Sequence, residues 1–298
     1  MVVRVRETGH LRLAFSAPSE PSEARACGAV HSVAELPDAD HVCWGYDDEA
    51  DFARAVREFM AEGLRTGQRL MHVDSRPVEH QRELLAPLGD VDELVADGRL
   101  ELVGLADVYP LDGPGEGPAQ LDAYAHATTR ALADGHAGLR VTARVGELVN
   151  DPDGWSAHVR WESEADRAMS CQPMSVLCGY DNRVVPNGLM LDLNAVHPVA
   201  HCGKATAPFR VFWADTSTAV LAGEVDLFYV EALDRILGEA FSQEAVTLDL
   251  SELGFIDHHG LRVLAAHSDR SPEGSSGLSM RHAPQAARRL CELLGMRI

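Results

Sequence analysis

Apolar and polar positions change period several times along the chain, and each change marks an element. Val246, Leu248 and Leu250 alternate as in a half-buried strand, and a second apolar pulse follows at Leu253, Phe255 and Ile256. Leu261, Val263, Leu264 and Ala265 then form one side of a helix that opens on Asp257-His258-His259-Gly260. Upstream, His41 to Trp44 is short and extended. Asp47 and Asp48 are N-cap candidates for a helix with Phe52, Ala55, Val56, Phe59, Met60 and Leu64 on one side, and Gly67 ends it. Strands at 69–74, 100–103, 139–145 and 175–178 alternate with helices near 77–88, 119–134 and 155–170, and 189–197 reads as a last extended pair. This alternation predicts a layered α/β domain with a mainly parallel sheet. After 204–208 the pattern restarts, with strands at 209–213 and 218–222, a helix at 228–241, the Val246 strand and a strand at 277–282. Pro284 opens a terminal helix, where its missing N–H is harmless, and Ala287, Leu290, Cys291 and Leu294 make the buried side.

The length of 298 residues fits two domains. The expected division is a tail at 1–36, an α/β domain at 37–204 and a smaller α/β domain with a mixed sheet at 207–298. Residues 1–36 are rich in Ser, Pro, Glu and Ala after a short alternating start, too little apolar surface to order a core. Net charge is −20, of which −5 falls in 207–298 and −15 upstream. Such a chain lacks the cationic surface that nucleic acid or an anionic membrane requires, so neither is expected as a partner. The six cysteines (27, 43, 171, 178, 202, 291) show no CxxC spacing, and no apolar run is long enough to span a bilayer. A reduced, cytoplasmic protein is expected.

Two resemblances rest on particular residues. Asp249-Leu250-Ser251, then Phe255-Ile256-Asp257-x-x-Gly260-Leu261, preceded by Gly223-Glu224-Val225-Asp226-Leu227, resembles a STAS domain of the anti-sigma factor antagonist type. The resemblance implies a partner, a kinase-like anti-sigma factor or a related regulatory protein, that phosphorylates a serine between the Asp and the Gly. Here His258 and His259 occupy those positions, so the usual phosphorylation switch is missing. Asp257, His258, His259 and Gly260 are the expected partner-binding residues, and a homodimer stays open.

Upstream, His41-x-Cys43-x-x-Tyr46 precedes an amphipathic helix. Gly146-Glu147, Trp161-Glu162, Leu177-Cys178-Gly179-Tyr180-Asp181 and His197-Pro198 follow in order. This pattern resembles the MEDS sensory domains, of the DcmR-like type, which are thought to sense small molecules, hydrocarbon derivatives being the proposed class. The strand, loop and helix ending EGLRTGQRLMHV also resembles the opening of the RecA/KaiC lineage. Where that lineage has a phosphate-binding GxxxxGK[ST] loop, this chain has HVCWGYDDEAD, with no lysine and several acids, so the nucleotide site is replaced.

Alternation puts His41 and Cys43 on one face, at the expected mouth of the fold. With Tyr46, Glu147, Tyr180 and Asp181 they are the expected contacts of an unknown small-molecule ligand. A metal would need further donors from Cys178, His197, His201 or Cys202, and the His197-x-x-x-His201-Cys202 spacing matches no recognised zinc pattern. No metal, cofactor or catalytic residue is expected. No nucleophile elbow, HExxH or recognisable carboxylate pair supports an enzyme, although Glu147 and Glu162 keep an acid–base reading open. The reading is a signalling regulator in which small-molecule sensing controls STAS docking. A non-sensing adaptor and an enzyme acting on a small molecule are the alternatives.

Overall fold

The computed structural model describes residues 25, 27–33, 36, 41–109, 117–149, 154–201, 203, 206–241, 246–269 and 278–296. Its contacts divide the chain between Thr216 and Ser217. The first unit contains β1 (Gly28–Val30), β2 (His41–Tyr46), α1 (Glu49–Arg65), β3 (Arg69–Asp74), α2 (Val78–Leu85), α3 (Val91–Ala96), β4 (Leu100–Gly104) and α4 (Leu105–Val108). It continues through α5 (Gly117–Ala133), β5 (Leu139–Arg144), α6 (Trp155–Met169), β6 (Met174–Asp181), α7 (Asn187–Val196), β7 (Val199–His201) and β8 (Phe209–Trp213). Seven strands form one parallel sheet in the order β1-β7-β2-β6-β5-β3-β4. Its central strands are buried end to end, as a sheet covered on both faces requires.

α1 forms where the apolar period predicts. Asp48 caps it by accepting the Asp51 N–H at 2.8 Å, a contact of the kind that contributes about 1 kcal/mol. Phe52, Ala55, Val56, Phe59 and Met60 go into a core with Val42, Trp44, Tyr46 and Leu177. Gly179 is required on this face, because any Cβ there would enter the Phe52 ring.

Two departures from the sequence reading stand out. The supposed extended pair at 189–197 is helix α7, followed by β7. α7 buries Leu189, Met190, Leu193, Ala195 and Val196 together with Asp192 and Asn194, so it has no polar face to betray a helical period. The second departure lies in the stretch read as a tail. Gly28–Val30 forms edge strand β1 against β7, and Arg25 ion-pairs with buried Asp166 at 3.0 Å. Residues 1–24 of that stretch lie outside the described residues.

The second unit contains β9 (Thr218–Val225), α8 (Val230–Ala240), β10 (Val246–Asp249), β11 (Leu253–Ile256), α9 (His258–Asp269), β12 (Leu278–Arg281) and α10 (Gln285–Leu293). A separate mixed sheet runs β11-β9-β10-β12 along its main path, with each of those pairs parallel. α8 packs by Ala232, Leu233, Ile236 and Leu237, and α10 by Ala287 and Cys291. Leu294, expected on the buried side of α10, is exposed just past the helix end. No helix among the described residues is long and apolar enough to cross a membrane.

Candidate functional site

Parallel pairing brings the last residues of four strands to one edge of the first sheet: Tyr46 of β2, Asp74 of β3, Arg144 of β5 and Asp181 of β6. Arg144 organises this rim. It donates to the Tyr46 hydroxyl at 2.5 Å, to Asp74 at 3.2 Å and to Glu49 at 2.7 and 3.0 Å. Arg76 donates to Asp74 at 2.8 Å, and Arg183 to Asp181 at 2.8 Å. Burial alone would raise the Asp74 carboxyl, but hydrogen bonds from His72 and Arg76 and the charge of Arg144 hold it well below the usual range. Burial pushes the Tyr46 phenol up to about 12, so it stays protonated. Glu147, in the short 3-10 turn after β5, accepts from Ser75 at 2.5 Å. Acids and arginines fill the edge where a phosphate loop would sit.

A second cluster lies under α6 and α7, on the opposite face of β2 from Tyr46. His158, Glu162 and Asp166 recur every fourth residue of α6, so they share one face of that helix. Glu162 lies 3.2 Å from His41 Nε2, with both side chains almost fully buried. Its Oε1 accepts from the Tyr180 hydroxyl and lies 3.2 Å from His158 Nε2. Cys178 Sγ sits 3.5 Å from His41 Nε2, and His197 Nε2 sits 3.6 Å from Glu162 Oε2. His41 Nδ1 faces Asp166 Oδ1 at 3.5 Å.

Electrostatics follow from this geometry. Burial would raise Glu162, but hydrogen bonds from His158 and His41 hold it well below the ordinary carboxylate range. Burial would lower His41, but Asp166 and Glu162 raise it. Each member of the pair thus favours the charged form of the other, away from solvent. Burial lowers His197 to about 3, with the His41 charge adding to it, so its ring is neutral. Burial and the Glu162 charge push the Cys178 thiol and the Tyr180 phenol far up. Burial likewise raises the Cys43 thiol, which removes the reactive thiolate that a nucleophilic reading would need.

The expected ligand contacts therefore separate. Tyr46, Asp181 and Glu147 belong to the rim. His41, Cys43 and Tyr180 are buried, and His41 opens β2 at the end remote from the rim, so the placement of His41 and Cys43 at the mouth is corrected. The strand is parallel to its neighbours, and its first residue cannot share their carboxyl edge. Arg144, Asp166 and His158 went unrecognised. The four-residue spacing of His158, Glu162 and Asp166 was the available signal for the α6 pair, whereas Arg144 ends an otherwise buried strand and carried none. His201 stacks on Trp44 and bonds the Gly45 carbonyl at 2.8 Å, away from the buried cluster, and Cys202 lies outside the described residues.

In the second unit, Asp257 caps α9 by accepting the N–H groups of His259 at 2.8 Å and Gly260 at 3.0 Å. Gly260 packs so close to Ile256 and Val225 that a Cβ would clash. His258 is exposed, His259 half-buried, and their rings lie 3.9 Å apart. β9 ends opposite Ile256, so Leu227 and Phe228 leave the sheet beside this corner, and Phe255 lies just before it. Those three apolar side chains are 54 %, 86 % and 51 % exposed.

The structure thus consists of a parallel α/β unit with an ionic rim in place of a phosphate loop and a smaller α/β unit carrying a capped surface corner. The chain belongs to the MEDS family: the model described as "MEthanogen/methylotroph, DcmR Sensory domain" matches residues 40–198. A second model, described as "Mlab, STAS domain", matches residues 213–298, so the chain joins an N-terminal MEDS domain to a C-terminal STAS domain. Comparison with curated proteins gives no match. Both families are sensory and regulatory rather than catalytic, and the protein has a signalling or regulatory role.

Proposed function

We propose that this is a cytoplasmic signalling regulator. Its MEDS domain receives a small molecule, and its STAS domain docks a kinase-like anti-sigma factor or a related regulatory protein. Docking runs through the Asp257–Gly260 corner without a serine phosphorylation switch.

The observation that carries the reading is the corner itself. A serine/threonine kinase transfers phosphate to a hydroxyl held in line with the donor, and imidazoles stand at both positions between Asp257 and Gly260. Ser251 lies before β11, separated from the corner by the length of that strand, about 13 Å at the usual rise. A partner seated on Leu227, Phe228, Phe255 and His258 is then not expelled by a phosphate's charge. Control passes to the ligand. The rim at the carboxyl ends of the strands is where open α/β sheets take ligands, and Tyr46, Glu147 and Asp181 offer it polar contacts beside Arg144. The ligand shifts docking only by its differential affinity for the two states.

Native mass spectrometry on protein purified from its own source tests the receiving half. An excess mass of an organic species is expected, lost on denaturation and lost from a Tyr46→Phe, Glu147→Ala variant. The mass of the bare chain, or an organic excess that survives the variant, contradicts the rim as the receiving site.

A further inference from the structure

We propose that His41, Glu162, Cys178 and His197 form a buried site for a divalent first-row transition metal ion, zinc being favoured by the donor set. The four donors come from the start of β2, the middle of α6, the middle of β6 and the residue after α7, so only the fold brings them together. Their ligating atoms all lie within 4.8 Å of one another. The individual separations are 3.2 Å for His41 Nε2 to Glu162 Oε2 and 3.5 Å for His41 Nε2 to Cys178 Sγ. Glu162 Oε2 lies 3.8 Å from Cys178 Sγ and 3.6 Å from His197 Nε2. Bonds of zinc length arranged tetrahedrally give ligand-to-ligand edges of about 3.3–3.8 Å. Three of these four separations fall on such edges, and the His41–Glu162 contact at 3.2 Å is slightly shorter.

The surrounding hydrogen bonds orient each donor inward. His197 Nδ1–H donates to the Leu193 carbonyl at 2.7 Å, which leaves the Nε2 lone pair toward the cluster. That Nε2 is fully buried and has no hydrogen-bond partner. It faces a carboxylate oxygen, an arrangement of two acceptors that a cation between them makes favourable. His41 turns Nδ1 to the Asp166 carboxylate and Nε2 to the same point. Glu162 gives Oε1 to Tyr180 and His158 and keeps Oε2 for the cluster. These are the outer contacts that metal-bound imidazoles and carboxylates make.

Charge also balances. One thiolate and one carboxylate neutralise a divalent ion, so the occupied site buries no net charge. Binding displaces the Cys178 thiol proton and one His41 proton to solvent, without change of oxidation state. Four protein donors close the coordination sphere, which makes the site one that ties α6 and α7 to the sheet rather than one that activates water. The inference stands apart from the rim reading, since it uses a different face of β2 and a different class of ligand.

Cobalt(II) titration of the chelator-stripped full-length chain tests it, together with elemental analysis of the protein as purified. About one metal ion per chain is expected. Cobalt should give a thiolate-to-metal charge-transfer band and the intense visible absorption of a tetrahedral site. Cys178→Ser should remove the charge-transfer band and weaken binding at least about tenfold. A Cys27→Ser, Cys171→Ser variant, which removes exposed thiols, should keep both. If Cys178→Ser fails to fold by circular dichroism, His197→Gln replaces it, and loss of the tetrahedral spectrum is expected. A folded stripped chain that gives no such spectrum overturns the site, as does a spectrum that survives in the folded variant. An organic mass in the native spectrum bears only on the rim, so failure of one reading leaves the other legible.

Discussion

Glu162→Ala is expected to cost about 3–5 kcal/mol of folding free energy, the scale for removing one member of a buried ionic group. The carboxylate is 2 % exposed and touches His41, His158 and Tyr180. Its removal takes the Nε2 partner from the buried His41 ring and the carboxylate acceptor from the Tyr180 hydroxyl, and it opens a void beside them. Glu162→Gln keeps the volume and one acceptor oxygen, so its loss should be distinctly smaller. Glu58 serves as the control: it is 44 % exposed on α1, and Glu58→Ala should stay within about 0.5 kcal/mol. Urea unfolding followed by fluorescence measures all three. Equal costs for Glu162→Ala and Glu58→Ala would contradict the ionic centre as a structural keystone of the MEDS domain.

Phe228→Asp is expected to weaken docking by about 30-fold or more, the equivalent of about 2 kcal/mol for a central apolar anchor. Phe228 is 86 % exposed, so the substitution should leave stability within about 0.5 kcal/mol of wild type. A carboxylate there also meets an already acidic neighbourhood formed by Glu224 and Asp226. Titration of the full-length chain against a kinase-like anti-sigma factor reads the change. Leu293, 68 % exposed on α10, gives the comparison: Leu293→Asp should bind as wild type. Loss of binding in both variants, or in neither, would contradict a docking surface at the histidine corner.

Much of the fold was legible because its local signals agreed with one another. α1 has a cap, an apolar stripe and a terminating glycine, and β10, β11 and α9 show a clean change of period into Asp257. What was missed depended on tertiary context. α7 is covered on all sides, so its sequence carries no amphipathic period and reads as extended. β1 has only three residues, and its partner β7 lies far along the chain, so nothing local announces the pairing.

The functional residues divide in the same way. His41 and Cys43 were legible as a pair on one strand face, and Glu162 as an acid beside Trp161. Their surroundings were not, because Glu162, Cys178 and His197 reach His41 from three other elements. The strand direction decided the rest: His41 begins β2 and Tyr46 ends it, which places one in the interior and the other at the rim. The STAS corner needed no tertiary information, since Asp257, the two histidines and Gly260 are contiguous.

The central claim is that docking at that corner is not switched by phosphorylation. The most direct measurement is the affinity of the full-length chain for a kinase-like anti-sigma factor with and without magnesium and ATP, with phosphate incorporation followed in the same samples. The expected result is binding that is unchanged by the nucleotide, with no phosphate on the chain. Nucleotide-dependent release of the partner, accompanied by phosphate on the STAS domain, would contradict it.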